Sequence, residues 1–210
     1  MELGHFTGGQ LATNAYWLRA REGEGVILFD APQETLSVLA ERGVEHVAAL
    51  VLTHGHFDHM WEAAAVQQKY GCTVYIHPAD EVMITDPKCF LPWIGMEMAT
   101  VPEHELIELP PEGAGDFSVA GRTFRAFHIP GHSPGSVAFY DAGQKVAIVG
   151  DTLFAGGIGR TDLPGGSQEQ LIRGIQRHLL SLPPETRVHA GHMGPTSIGE
   201  EAATNFYLTA

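Results

Sequence analysis

Residues Val47-Ala48-Ala49-Leu50-Val51-Leu52 form an unbroken apolar run, and Thr53-His54-Gly55-His56-Phe57-Asp58-His59 follows directly. A short apolar run bounded by glycine and polar residues reads as a buried strand. The loop behind it gathers three imidazoles and a carboxylate within one turn of chain. These are ligand types for zinc, iron or manganese, and no thiol is among them. A histidine-rich polar loop without a metal is the bland alternative. Functional loops at the carboxyl ends of buried strands are the usual arrangement in α/β folds, so the loop predicts an α/β protein with a metal at a strand end.

Similar strand ends recur downstream. His132 lies in Ile129-Pro130-Gly131-His132-Ser133-Pro134-Gly135, Asp151 follows Val146-Ala147-Ile148-Val149-Gly150, and His192 follows Val188-His189-Ala190-Gly191. Glycine stands beside each ligand-type residue, which permits close backbone approach. A carboxylate has two oxygens and can span two cations, whereas an imidazole cannot. His128 precedes Pro130 and reads as a core or surface histidine. His189 reads as a strand residue or as one that orients a ligand. His5, His46, His77, His104 and His178 lack a ligand-like setting.

The remaining pattern alternates sheet and helix. Strands are expected at 2–8, 14–21, 25–30, 47–53 and 73–76, then at 105–109, 116–119, 122–129, 136–140, 145–149 and 186–190. Helices are expected from Ala31-Pro32 to Gly43, from Asp58 through Tyr70, around Ala79–Ile84, at 167–180 behind Ser167, and from Ile198 to Phe206 behind Thr196 or Ser197. Residues 86–100 are apolar without a clean period and fit a lid, a dimer contact or a core-covering loop equally. No linker divides the 210 residues. One domain is expected over 1–210, with pseudo-equivalent halves at about 1–104 and 105–210.

Composition narrows the function. A formal charge of −13 disfavours a nucleic-acid partner. No apolar stretch spans a bilayer and no signal peptide is evident, so a cytoplasmic protein without membrane association is expected. Cys72 and Cys89 are too few for a disulfide framework, and two free buried thiols are expected. A monomer or a homodimer fits equally.

The ligand series His54, His56, Asp58, His59, His132, Asp151 and His192 resembles that of the metallo-β-lactamase superfamily, in which an H-x-H-x-D-H loop precedes a histidine, an aspartate and a histidine. The resemblance implies a four-layered αββα sandwich with the metal site at the edge between the two sheets. It implies two divalent ions per chain, zinc first, with iron or manganese accepted by the same ligands. One ion would take His54, His56 and His132, the other Asp58, His59 and His192, and Asp151 would bridge them. Asp58 and Asp151 would position a metal-bridging hydroxide. The absence of a cysteine ligand argues against β-lactamase activity.

The segment Val149-Gly150-Asp151-Thr152-Leu153-Phe154-Ala155-Gly156-Gly157-Ile158-Gly159-Arg160-Thr161-Asp162 looks like the glyoxalase II branch, and the chain resembles its short bacterial members, with a trimmed substrate pocket. The resemblance implies a thioesterase that cleaves S-D-lactoylglutathione, or a related hydroxyacyl thioester, to glutathione and D-lactate. Arg160 would contact glutathione, or would pair with Asp162 to brace the loop. Phe57, Phe154 and Ile158 flank the ligands and would line the pocket or simply pack. The alternatives on the same fold are a glutathione persulfide dioxygenase with a single iron and a lactonase or other ester hydrolase.

Overall fold

The computed structural model describes residues 3–19, 25–90, 92, 95 and 97–209. The chain divides into two compact units, Met1–Ile107 with Val119–Arg122, and Glu108–Ser118 with Thr123–Ala210.

The first unit is built on a six-stranded sheet in simple chain order: β1 (Leu3–Gly8), β2 (Thr13–Arg19), β3 (Val26–Phe29), β4 (Val47–Val51), β5 (Thr73–Ile76) and β6 (Glu105–Leu106). β1, β2 and β3 pair antiparallel, and β3 through β6 run parallel. Parallel strands deliver their carboxyl ends to one edge, which is where open α/β sheets carry ligands. Asp30, Thr53 and His77 therefore leave β3, β4 and β5 on the same side. Val26, Leu28, Leu50, Val74 and Ile76 are fully or almost fully buried and pack with Leu39, Met60 and Val66 from the helices.

Helix α1 (Thr35–Glu41) starts later than Ala31-Pro32 suggests, because Glu34 sits in the left-handed region at φ 75°. Its first turn is satisfied from elsewhere. The Glu62 carboxylate accepts the N–H groups of Glu34 at 2.9 Å and Leu36 at 2.8 Å. The single helix expected from Asp58 through Tyr70 is two, α2 (Phe57–Met60) and α3 (Ala63–Tyr70). The Glu62 N–H is taken by the Ala31 carbonyl at 2.8 Å instead of by the preceding turn. Ala31 N–H in turn donates to the His59 carbonyl at 2.7 Å. Gly71 ends α3 in the left-handed conformation, as its position suggests. Near Ala79–Ile84 a 3₁₀ turn (Pro78–Asp80) leads into α4 (Glu81–Thr85), and a further 3₁₀ turn covers Pro87–Phe90. The 86–100 segment, with parts of the strands expected at 2–8 and 14–21, lies partly outside the described residues.

The second unit carries a sheet of β14 (Thr196–Ser197), β13 (Arg187–Ala190), β10 (Val146–Gly150), β9 (Val137–Asp141), β8 (Arg122–His128) and β7 (Ala114–Val119), in that spatial order. β10 and β13 are parallel, while β9 is antiparallel to both β8 and β10. β8, β10 and β13 consequently point the same way, and their ends carry His132, Asp151 and His192 to one edge. A hairpin of β11 (Leu153–Phe154) and β12 (Gly157–Ile158) follows Asp151. Strands of two residues have no readable period, so it escapes a pattern reading.

Helix α5 (Gln168–Gly174) is capped by Ser167, whose hydroxyl accepts Gln170 N–H. The helix expected over 167–180 continues only as a wide π turn, Ile175–Leu179, in which Leu180 N–H reaches the Ile175 carbonyl at 3.0 Å. Ser197 caps α6 (Ile198–Thr204), and α7 (Phe206–Thr209) follows. No helix among the described residues is long and apolar enough to cross a membrane. Cys72 is buried and free, but Cys89 is exposed, so the expectation of two buried thiols fails for Cys89: its 3₁₀ turn buries Pro87 and Phe90 and leaves Cys89 outward.

Leu50 is fully buried in the strand that delivers the histidine loop. Leu50→Ala should lower the unfolding free energy by about 2–5 kcal/mol in a urea titration. A change well below that range would show that the neighbours close over the gap.

Candidate metal centre

His54, His56 and His59 are buried at the carboxyl end of β4, and Asp58 is half-buried beside them. The rings of His54 and His59 lie 4.1 Å apart by centroid, and those of His54 and His56 4.8 Å. Gly55 is required between them. A Cβ there would come within 2.8 Å of the Met83 Cβ and 3.1 Å of the Asp80 Cβ. The buried Asp80 carboxylate accepts the Gly55 N–H at 2.9 Å and fixes the loop from below.

Asp30 organises this group and goes unrecognised in the sequence pattern. It follows β3, is 2 % exposed, and holds a left-handed backbone at φ 62°. Its Oδ1 accepts Thr53 N–H at 2.8 Å, and its Oδ2 accepts the Thr53 hydroxyl at 2.8 Å. His59 Nδ1 lies 2.8 Å from the same Oδ2. An ionised carboxylate accepts only, so His59 carries its proton on Nδ1 and leaves Nε2 as the lone-pair nitrogen. The Thr53 hydroxyl has spent its one proton on Asp30. His54 Nδ1, 3.0 Å from that oxygen, must therefore donate, and its Nε2 also carries a lone pair. The strand-end rule that finds His132 and Asp151 also points to Asp30. It is masked because Ala31-Pro32 reads as the opening of a helix.

The second unit repeats the device. His132 Nδ1 donates to the Arg160 carbonyl at 2.8 Å, so Nε2 again carries the lone pair. Gly159 permits this closeness, since a Cβ there would lie 1.9 Å from the Asp151 carbonyl and 3.1 Å from His132 Nδ1. Asp151 Oδ2 stands 3.5 Å from His132 Nε2 and 3.3 Å from His192 Nε2. In the first unit, Asp58 Oδ2 stands 3.5 Å from His59 Nε2 while accepting the Thr13 hydroxyl at 2.7 Å.

These separations test whether the residues suit a metal. A charge-assisted hydrogen bond is shorter, ~2.7–2.9 Å. Two ligands each ~2.0–2.1 Å from one tetrahedral ion stand roughly 3.4 Å apart. For His59 and His132 the facing atoms are a lone-pair nitrogen and a carboxylate oxygen, both electron-rich, and a cation between them removes the repulsion. Anchoring the other ring nitrogen to a carboxylate or carbonyl is the usual support for a metal-bound histidine. The donor set fits divalent ions.

The other sequence candidates fall into place. Arg160 forks onto Asp162 through Nε at 2.8 Å and Nη2 at 2.7 Å, in an exposed pair. That pairing depresses the Asp162 carboxyl to about 2 and raises the Arg160 guanidinium. Phe154 packs in the second unit's core and meets the His192 ring edge-on at 6.1 Å, with Ile158 against the same core. His128 is a structural residue: Nδ1 accepts Glu112 N–H at 3.1 Å, and Nε2 donates to the Pro134 carbonyl at 2.8 Å. His77 caps the turn at Pro78 by accepting Ala79 N–H, and His178 Nε2 donates to the Glu112 carbonyl at 3.0 Å.

The sequence model of the metallo-β-lactamase superfamily matches residues 8–192. A probable metallo-hydrolase of Bacillus subtilis, YqgX, is 36% identical over 95% of this chain and 94% of its own length. The hydroxyacylglutathione hydrolase GloC of Haemophilus influenzae is 33% identical over 79% of this chain and 77% of its own. Among solved structures, the B3 metallo-β-lactamase BLEG-1 superposes with a TM-score of 0.90, at 34% identity over 100% of both chains. TTHA1623, solved in a di-iron-bound form, gives 0.82 at 38% identity over 98% of this chain and 100% of that one.

Two outcomes test the site. Asp30→Asn keeps the shape but loses the second strong acceptor, and metal affinity should fall about 10–100-fold in a chelator competition; an unchanged affinity would remove Asp30 from the site. Arg160→Gln should return the Asp162 carboxyl towards its ordinary 3.8, followed by NMR titration. A depressed folded pKa contributes stability above the ordinary value that is lost as pH falls towards 2, so the variant should lose this acid-range dependence.

Proposed function

This chain belongs to the metallo-β-lactamase superfamily, and within it we propose a dinuclear thioester hydrolase of the hydroxyacylglutathione hydrolase type. Its substrate would be S-D-lactoylglutathione or a related hydroxyacyl thioester. The observation that carries the reading is the facing of imidazole Nε2 and carboxylate oxygen at 3.3–3.5 Å in both units. One ion would be held by His54, His56 and His132, the other by Asp58, His59 and His192, with Asp151 shared. The family match ends at His192 and so spans all seven. The similarity to GloC favours the thioester.

Bound ions supply a Lewis acid for the carbonyl oxygen and bring a water's pKa to near neutrality. The chain supplies orientation. Thr13 fixes Asp58 by its hydroxyl, and Asp58 and Asp151 direct the water towards the carbonyl carbon. In the net reaction the water oxygen bonds to that carbon, the carbon–sulfur bond breaks, sulfur leaves with the bonding pair as thiolate, and the water's protons pass to solvent as the carboxylate forms. A thiol pKa of ~8.5 makes a strong general acid unnecessary. Zinc, iron and manganese all suit nitrogen and oxygen donors, and a solved relative is di-iron.

The full-length likeness to a B3 metallo-β-lactamase sets β-lactam opening beside this reading. The test is elemental analysis of the purified protein with a panel of S-D-lactoylglutathione, a lactone, a β-lactam and glutathione persulfide with oxygen uptake. About two ions per chain and turnover of the thioester are expected. One iron with oxygen uptake, or opening of lactones or β-lactams without thioester turnover, would refute it. Asp151→Ala should reduce the metal content to about one ion or fewer, and full retention would refute the bridging role.

A further inference from the structure

Asp58 also borders a cleft of about 460 Å³ lined by the first unit, whose walls include Gln10, Leu11, Gln33, Phe57 and Trp61. The turn that carries Gln10 is drawn tightly inward. A Cβ on Gly8 would lie 2.1 Å from the Gln33 carbonyl, and Ala12 N–H closes the turn on Gly9 at 3.1 Å. Phe57 meets Trp61 at 6.2 Å and is backed by Phe90 at 5.7 Å, so one wall is aromatic and supported from behind. The cleft is thus a built space.

Its charge pattern is one-sided. Asp58 is the one charged residue in the lining among the described residues. Gln10, Gln33 and Trp61 continue into an outer recess that adds Glu34 and Glu62. The Glu62 carboxylate accepts two backbone N–H groups and is held in place at the rim. No lysine or arginine lines either space among the described residues. Divalent ions held at Asp58 would reverse the inner charge, so any exclusion of anionic groups rests on Glu34 and Glu62 at the rim.

We propose that this cleft receives the acyl half of the substrate and selects acyl groups without negative charge, a specificity that rests on the thioester reading above. A glutathione-like thiol brings carboxylates, which would meet Glu34 and Glu62 with no lysine or arginine in that recess among the described residues. The thiol half therefore lies elsewhere. The volume equals about 15 water-sized volumes of ~30 Å³, and a lactoyl group fills a small part of it. An aromatic or medium-length acyl chain fits against Phe57 and Trp61. Each buried methylene should raise kcat/KM by about fourfold.

The test uses the metal-loaded protein and one uncharged thiol, N-acetylcysteamine, esterified with lactoyl, phenylacetyl or succinyl groups. At low salt, kcat/KM for phenylacetyl should exceed that for succinyl by about tenfold or more, and salt should narrow the gap. Gln10→Lys should raise succinyl turnover relative to phenylacetyl. Binding is read separately from quenching of tryptophan fluorescence by non-hydrolysable oxo-thioether analogues, one neutral and one carboxylated. The neutral analogue should quench more strongly, and Trp61→Phe should abolish the difference. Equal handling of succinyl and phenylacetyl, with no response to Gln10→Lys, would overturn the proposal. Absent thioester turnover with the neutral analogue still preferred would sink the thioester reading while supporting the charge selection.

Discussion

The first unit's histidine loop depends on one buried carboxylate. Asp30 accepts a backbone N–H, a hydroxyl and an imidazole N–H, and so fixes the end of β4, the position of Thr53 and the tautomers of His54 and His59 together. A buried ionised carboxylate is costly unless such donors surround it. Once formed, the network has only one consistent direction, because the threonine has a single proton to give. Orientation of the ring nitrogens is thereby settled by the fold before any ligand arrives. In the second unit a backbone carbonyl, that of Arg160, performs the same service for His132.

Topology explains how so few residues make a site. Four parallel strands in the first unit's sheet, and three like-directed strands in the second unit's, each end at one edge of their own sheet. Within each unit, Asp30, Asp151 and His192 stand one or two residues past those ends, and His132 and the histidine loop follow on short connections. The stitching between Ala31, His59 and Glu62 then locks α2 against the end of β3. Glu62 serves twice, through its N–H and its carboxylate, which breaks one helix and starts another.

What was legible follows from where the information lies. The strands at 47–51 and 146–150 are marked by unbroken apolar residues, and the ligand-type residues past their ends stand out locally. The caps at Ser167 and Ser197 are also local and visible. Asp30 obeys the same rule but is disguised by the following Ala31-Pro32. The break at Trp61-Glu62 depends on the Ala31 carbonyl, far earlier in the chain, and no local period reports it. The π turn at Ile175–Leu179 keeps its apolar stripe, so its widened hydrogen bonding leaves no trace in composition. The exposure of Cys89 depends on a turn whose neighbours are apolar. Arg160 pairs with Asp162 two residues on, a contact that spacing allows but does not require.

The electron-rich faces around Asp151 carry a thermodynamic consequence. His132, Asp151 and His192 leave three separate strands, so they form a cluster only in the folded chain. A ligand that binds the native state alone adds RT ln(1 + [L]/Kd) to stability, about 4 kcal/mol at a thousandfold excess over Kd. Cation supply and resistance to unfolding are therefore one linked equilibrium in this molecule. A cell that starves such a protein of metal would leave it more easily unfolded.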